Sequence, residues 1–173
     1  MSAPLFPAPW MYGRRKLTRV ELIVYASLVG VLLLIFASQV AEYMELAEKA
    51  AMESTATNVT AALNLRYASL VMAGTTIDAE RWTTANPFEL ANAFPPGYRG
   101  ELAAWASMPR ERPAWLFDSV RHEVLYLPRL HKHLQVGGAP AGEVRFGLRR
   151  GPSGFGFALT PSQAYEWRVS PDR

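Results

Sequence analysis

Hydrophobic and polar residues divide the chain into three patterns, and each pattern predicts a different kind of element. The segment from Leu22 to Ala41, LIVYASLVGVLLLIFASQVA, contains no charged residue. A helix of about twenty residues spans about 30 Å, the thickness of the hydrocarbon core of a bilayer. This segment therefore predicts a transmembrane helix. The alternatives are a cleaved secretory signal, whose apolar region is normally shorter, and a buried helix of a soluble protein.

Beyond Ala41 the apolar residues recur at every third or fourth position, which is typical of an amphipathic helix. Gly74 is a typical stop for such a helix, and no proline lies between Pro9 and Pro87. We therefore predict one continuous helix from about Arg19 to Ala73. Its apolar face, expected to pack on a following sheet, comprises Met52, Ala56, Val59, Leu63, Tyr67 and Leu70. Its polar face, expected to be solvated, comprises Glu48, Lys49, Ser54, Thr57, Asn58 and Asn64.

From residue 74 onward, short apolar segments alternate with glycine- and proline-containing turns, a pattern typical of strands. Asn86 followed by Pro87 predicts the start of a short helix that ends near Ala93. The predicted strands are Ala114–Phe117, Glu123–Leu127, Glu143–Leu148 and Phe155–Leu159. The fold class we expect is α+β, with a long N-terminal helix packed on a small antiparallel sheet. The expected organisation is a basic leader at 1–16, the long helix at 17–73 with its transmembrane part at 22–41, and a globular domain at 74–173.

The charges on either side of the apolar segment predict its orientation in a membrane. The basic residues Arg14, Arg15, Lys16 and Arg19 precede the segment, and the acidic residues Glu42, Glu45 and Glu48 follow it. Because lysine and arginine stay on the cytoplasmic side, the N-terminus is expected inside and the domain outside. This predicts a single-pass protein of a bacterial inner membrane, with a C-terminal domain in the periplasm or in a surface filament.

Composition argues against most kinds of catalytic site. The chain has no cysteine and three histidines, so a thiolate site is excluded and a histidine metal site would lack ligands. His131 and His133 are expected to lie in a solvated basic loop. Arg145, Arg149 and Arg150 are expected at a solvated strand edge, or in contact with an acidic partner. A net charge of +3 is no evidence for nucleic-acid binding. We predict no enzymatic activity and no cofactor.

Residues 16–22, KLTRVEL, contain a single acid at the start of the apolar helix. This segment resembles the N-terminal motif of type IV pilins and type II secretion pseudopilins, in which a glycine precedes Phe-Thr-Leu-Ile-Glu-Leu. Aligned on Glu21, the second mature position is Thr18 and the sixth is Leu22. A basic leader and a helix of more than fifty residues that ends on a small domain are also similar to that family. The resemblance covers about residues 14–73.

The resemblance implies processing and assembly at this motif. A prepilin peptidase would cleave between Lys16 and Leu17, and Leu17 would then be N-methylated, although the family has glycine where this chain has Lys16. Thr18 and Glu21 would take part in subunit assembly, with Glu21 paired to the free amine of a neighbouring subunit. Glu21 has a second interpretation, that of an interfacial acid favoured by the helix dipole and the preceding basic residues.

The function expected from these observations is that of a minor pilin or pseudopilin, a structural subunit of a type IV pilus or a type II secretion pseudopilus. Its partners would be other pilin-like subunits, contacted through the long helix, together with the inner membrane, the prepilin peptidase and an assembly platform protein. One alternative is an uncleaved single-pass scaffold protein with a periplasmic domain. Another is an anchored periplasmic ligand-binding module.

Overall fold

The computed structural model describes residues 18–102, 111–151 and 154–168. The first helix, α1, runs from Arg19 to Met72, so the predicted continuous helix is confirmed. Its C-terminal end is closed by Gly74, which has a φ of 72°. The Gly74 amide donates to the Val71 carbonyl over 3.0 Å, and the Thr75 amide donates to the Leu70 carbonyl over 3.0 Å. These bonds satisfy carbonyls that the helix end would otherwise leave without partners.

The chain forms two compact units, one up to Val40 and one from Ala41 onward. In the first unit, the described residues from Arg19 onward belong to α1. The described residues of the second unit form the rest of α1, two short helices and eight strands. These elements are α2 Ala79–Thr84, α3 Pro87–Ala91, β1 Tyr98–Leu102, β2 Ala114–Asp118, β3 Glu123–Leu127, β4 Leu134–Val136, β5 Ala139–Pro140, β6 Val144–Arg150, β7 Phe157–Pro161 and β8 Tyr165–Trp167.

The main sheet has the order β1-β2-β3-β6-β7 and is mixed, because β1 lies parallel to β2. The expectation of a wholly antiparallel sheet was therefore wrong, while an α+β fold with a long N-terminal helix on a sheet is confirmed. β1 was not predicted, because its sequence, YRGEL, has an apolar side chain only at each end and Gly100 between them.

A second, three-stranded sheet has the order β5-β4-β8. Sequence pattern did not predict it, since strands of two or three residues are too short to display a period of two. The four strands that were predicted are present as β2, β3, β6 and β7, with ends that differ by up to two residues. Asn86 caps α3 as expected, because its side chain accepts from the Phe88 amide over 3.1 Å.

The core lies between α1 and one face of the main sheet. The apolar face of α1 supplies four buried residues, Met52, Ala56, Val59 and Leu63, and two partly buried ones, Tyr67 and Leu70. The sheet supplies alternate residues of its central strands, including Trp115, Phe117, Val124 and Tyr126. Val144, Phe146 and Leu148 of β6 are buried, so alternate residues of this strand also face the core.

Helix α1 also covers the outer edge of β7, the last strand of the main sheet. The Asn64 amide group accepts from the Phe157 amide over 2.9 Å and donates to the Phe157 carbonyl over 3.0 Å. The Thr60 hydroxyl accepts from the Leu159 amide over 3.1 Å. Two polar side chains of the helix thus satisfy backbone groups that an uncovered sheet edge would expose.

Candidate functional site: the apolar helix segment and its polar contacts

The apolar segment of α1 is exposed on every side. Leu22 is 59% exposed, Leu34 74% and Phe36 67%, and none of the most hydrophobic part of this helix is buried. Among the described residues, α1 is the one helix that is long and apolar enough to cross a membrane. A helix that is apolar all round is stable in lipid or in a protein interior and is costly in water.

The two serine hydroxyls within this segment are satisfied by the helix itself. The Ser27 hydroxyl donates to the Ile23 carbonyl over 2.8 Å, and the Ser38 hydroxyl donates to the Ile35 carbonyl over 2.8 Å. An unbonded hydroxyl would be costly in hydrocarbon, so these bonds suit an apolar surrounding. Gly30 has open space where a side chain would begin. Neither serine hydroxyl therefore presents an unsatisfied donor to lipid or to another helix.

The start of α1 is closed by a reciprocal cap between Thr18 and Glu21. Glu21 Oε2 accepts from the Thr18 amide over 2.8 Å and from the Thr18 hydroxyl over 3.0 Å. The Glu21 amide in turn donates to the Thr18 hydroxyl over 3.3 Å. This is a capping box, which satisfies amides that have no partner within the helix. The structure thus brings together Thr18 and Glu21, whereas Lys16 and Leu17 lie outside the described residues.

A buried carboxylate lies one helical turn beyond Ala41. Glu45 is 4% exposed, and its Oε1 accepts from the His133 amide over 2.9 Å and from the Trp167 indole over 2.8 Å. Its Oε2 lies 2.8 Å from His133 Nδ1. Burial alone would raise the pKa of the Glu45 carboxyl, but these hydrogen bonds outweigh burial and lower it. An ionised carboxylate can only accept, so Nδ1 of His133 carries a proton.

A second carboxylate, Glu48, binds the loop that leads to His133. It accepts from the Tyr126 hydroxyl over 3.2 Å, from the Arg129 amide, and from the Leu130 amide over 2.9 Å. Burial, followed by the neighbouring Glu48 carboxylate, raises the pKa of the Tyr126 hydroxyl, which keeps it a donor. Glu45 and Glu48 together fix the segment between Pro128 and Leu134 to α1. We call this pair the carboxylate latch.

The sequence did not predict the carboxylate latch. Glu45 and Glu48 were interpreted through their charge, as acids that follow the span, and Glu48 and Asn64 were assigned to a solvated face. The assignment of Glu48 and Asn64 to a solvated face was wrong, because these side chains bind the globular part of the chain. The signal that was present is their position: Glu45, Glu48 and Met52 follow one another on the same helix face at steps of three and four.

The predicted basic surface on β6 is corrected at Arg145, while Arg149 and Arg150 are exposed as expected. Arg145 is surrounded by three carboxylates, with Glu143 at 2.9 Å, Asp118 at 3.4 Å and Glu123 at 3.5 Å. Its charge is therefore neutralised within the chain and is not free for an acidic partner. Among the described residues, no group of three or more histidine, aspartate or glutamate side chains is placed to hold a metal ion.

Comparison with protein-family models, curated protein sequences and solved structures found no match to this chain.

Proposed function

We propose that this protein is a membrane-anchored structural subunit that assembles through α1, as a minor pilin or pseudopilin of a type IV pilus or a type II secretion pseudopilus. The observation that carries the proposal is the uncharged, exposed apolar segment at 22–41, in a helix that continues into a globular domain. Such a segment needs lipid or other apolar helices around it. In this proposal, the membrane holds the subunit first and the helices of other subunits replace lipid on assembly.

The rest of α1 has a surface suited to helix packing. The face directed away from the domain carries exposed large residues, with Tyr43 69%, Leu65 75% and Met72 86% exposed. Small residues separate them on the same face, namely Ala47, Ser54 and Ala61, and these allow another helix to approach closely. The charged residues of α1 after Ala41 lie on its other faces, where they include the carboxylate latch. This uncharged face supports assembly through α1 beyond the membrane segment.

The motif at residues 16–22 supports the same proposal through its resemblance to prepilins. In a processed subunit, Leu17 would carry the free amine and Glu21 would pair with the amine of a neighbour. The partners of such a subunit would be other pilin-like subunits, the prepilin peptidase and an assembly platform protein in the inner membrane. The N-terminus would lie in the cytoplasm and the domain in the periplasm.

One observation favours a second candidate function, an uncleaved membrane scaffold. In the capping box, the Glu21 carboxylate accepts both of its hydrogen bonds from Thr18 of the same chain, one from the amide and one from the hydroxyl. A carboxylate that closes its own helix needs no amine from another subunit. Lys16, in the position where prepilins have glycine, favours the same reading. In this candidate, the leader remains attached and the protein stays in the membrane.

The intact mass of the membrane-extracted protein distinguishes the two candidates. The full chain is expressed with and without an active prepilin peptidase, and Lys16→Gly serves as the matched variant with the family's residue. A processed subunit loses residues 1–16 in the wild-type chain, with or without an added methyl group on Leu17. Cleavage of Lys16→Gly alone, with the wild-type mass unchanged, would contradict processing of the natural protein and support the scaffold.

A further inference from the structure

Two exposed cations flank the residues that bind Glu45. Lys132 precedes His133, and Arg168 follows Trp167. Glu45 follows Ala41 by four residues, a helical rise of about 6 Å. The polar layer on each face of a bilayer is about 5–7.5 Å thick, given a total thickness of about 40–45 Å around a core of about 30 Å. The position of Glu45 on α1, together with its bonds to His133 and Trp167, therefore keeps both cations near the lipid phosphates if the span ends at Ala41.

The same side chains line a shallow pocket of about 210 Å³, together with His133, Gln135 and Glu166. Glu166 binds Arg168 over 3.0 Å and so offsets one of the two positive charges. Within the described residues Lys132 has no ion-pair partner, and it is exposed. Gln135 adds an amide donor. The pocket therefore offers one unbalanced positive charge and several N–H donors, which suit a singly charged phosphodiester.

We propose that Lys132, Gln135 and Arg168 bind the phosphate of an anionic membrane phospholipid. The inference rests on the proposed membrane anchor, since the anchor is what brings this pocket to the bilayer. The carboxylate latch fixes the loop at 128–133 to α1 and thereby holds Lys132 at the level of the headgroups. A bound lipid would fix the globular domain against the membrane until the subunit is extracted or engaged by a partner.

The test counts phospholipids retained by the full chain in native mass spectrometry. The protein is held in maltoside micelles that contain phosphatidylglycerol at one fixed ratio. Lys132→Gln/Arg168→Gln removes two charges from the pocket. The matched control, Arg149→Gln/Arg150→Gln, removes two exposed charges from β6. These control residues lie far from the pocket. Arg150 pairs with Phe157, and Phe157 binds Asn64, which lies about five helical turns beyond Glu45 on α1.

We expect the pocket variant to retain about one phosphatidylglycerol fewer than the wild-type chain, and the control to retain the wild-type number. The basic residues before the span bind lipid equally in all three proteins and cancel in the comparison. Equal retention by the pocket variant and the wild type, or an equal loss in both variants, would overturn the lipid site. Flotation of the wild-type chain with phosphatidylcholine vesicles tests the anchor separately, since it needs only the apolar segment.

Discussion

At the scale of single residues, Glu45 is the side chain whose role depends most on the folded structure. It is an acid at 4% exposure with three N–H donors around it. Replacing its carboxylate by an amide places an N–H₂ group, which can only donate, next to those N–H donors. We expect Glu45→Gln to lower the free energy of unfolding by about 2 kcal/mol at pH 7, because buried donors lose a charged acceptor. Denaturant unfolding of the full chain in detergent measures this, with exposed Glu101→Gln as control.

The same variant gives a pH signature. The pKa of Glu45 is lowered in the folded protein, because hydrogen bonds outweigh the effect of burial. A lowered pKa contributes stability that is present above the ordinary carboxyl pKa of 4.5 and is lost as pH falls through the folded value. The difference in stability between wild type and Glu45→Gln should therefore shrink as pH is lowered from 5 to about 3. A difference that stays constant across this range would contradict the role of the ionised carboxylate.

At the scale of elements, α1 was predictable because its evidence is repeated along the chain. More than fifty residues without proline, a fixed apolar face and Gly74 at the end all indicate one helix. β4, β5 and β8 were not predictable, because their few residues carry no period. The contacts that polar residues of α1 make with the sheet could not be predicted from the sequence either. A pattern of polar positions does not distinguish a side chain that faces water from one that binds a strand edge.

Asn58 and Asn64 allow a polar residue that faces water to be compared with one that binds a strand edge, on the same helix. Both were assigned to the solvated face, and the structure leaves Asn58 exposed while Asn64 binds the backbone of Phe157. Asn64→Ala removes two hydrogen bonds and leaves an amide and a carbonyl of β7 without these partners. We expect a loss of about 1–3 kcal/mol in the free energy of unfolding. Asn58→Ala, the matched control, should change it by less than about 0.5 kcal/mol. Equal effects of the two substitutions would show that the contact to β7 adds nothing.

At the scale of the whole molecule, the fold class, the long helix and the apolar segment followed from sequence, whereas the candidate site followed only in part. Thr18 and Glu21 contact each other in the helix cap, while their predicted part in subunit assembly stays a prediction. The carboxylate latch was not predicted, because its partners, His133 and Trp167, are far from Glu45 in sequence. Long-range hydrogen bonds of this kind leave no periodic pattern, so only the folded structure can reveal them.

The orientation of the chain in the membrane is open to a direct test, because the chain contains no cysteine. Single substitutions, Ser2→Cys in the leader and Gln163→Cys at an exposed position of the domain, can therefore be labelled without background.

The basic residues before the apolar segment should hold the N-terminus in the cytoplasm, since lysine and arginine resist transfer across the membrane. In cells that lack a prepilin peptidase, so that the leader is retained, and whose outer membrane is permeabilised, a membrane-impermeant maleimide should label Gln163→Cys at once and Ser2→Cys only after lysis. Replacing Arg14, Arg15, Lys16 and Arg19 by glutamine should weaken this preference, because the charge asymmetry then disappears. The reverse labelling pattern would place the domain in the cytoplasm, and a domain held there could join neither a periplasmic scaffold nor a surface filament.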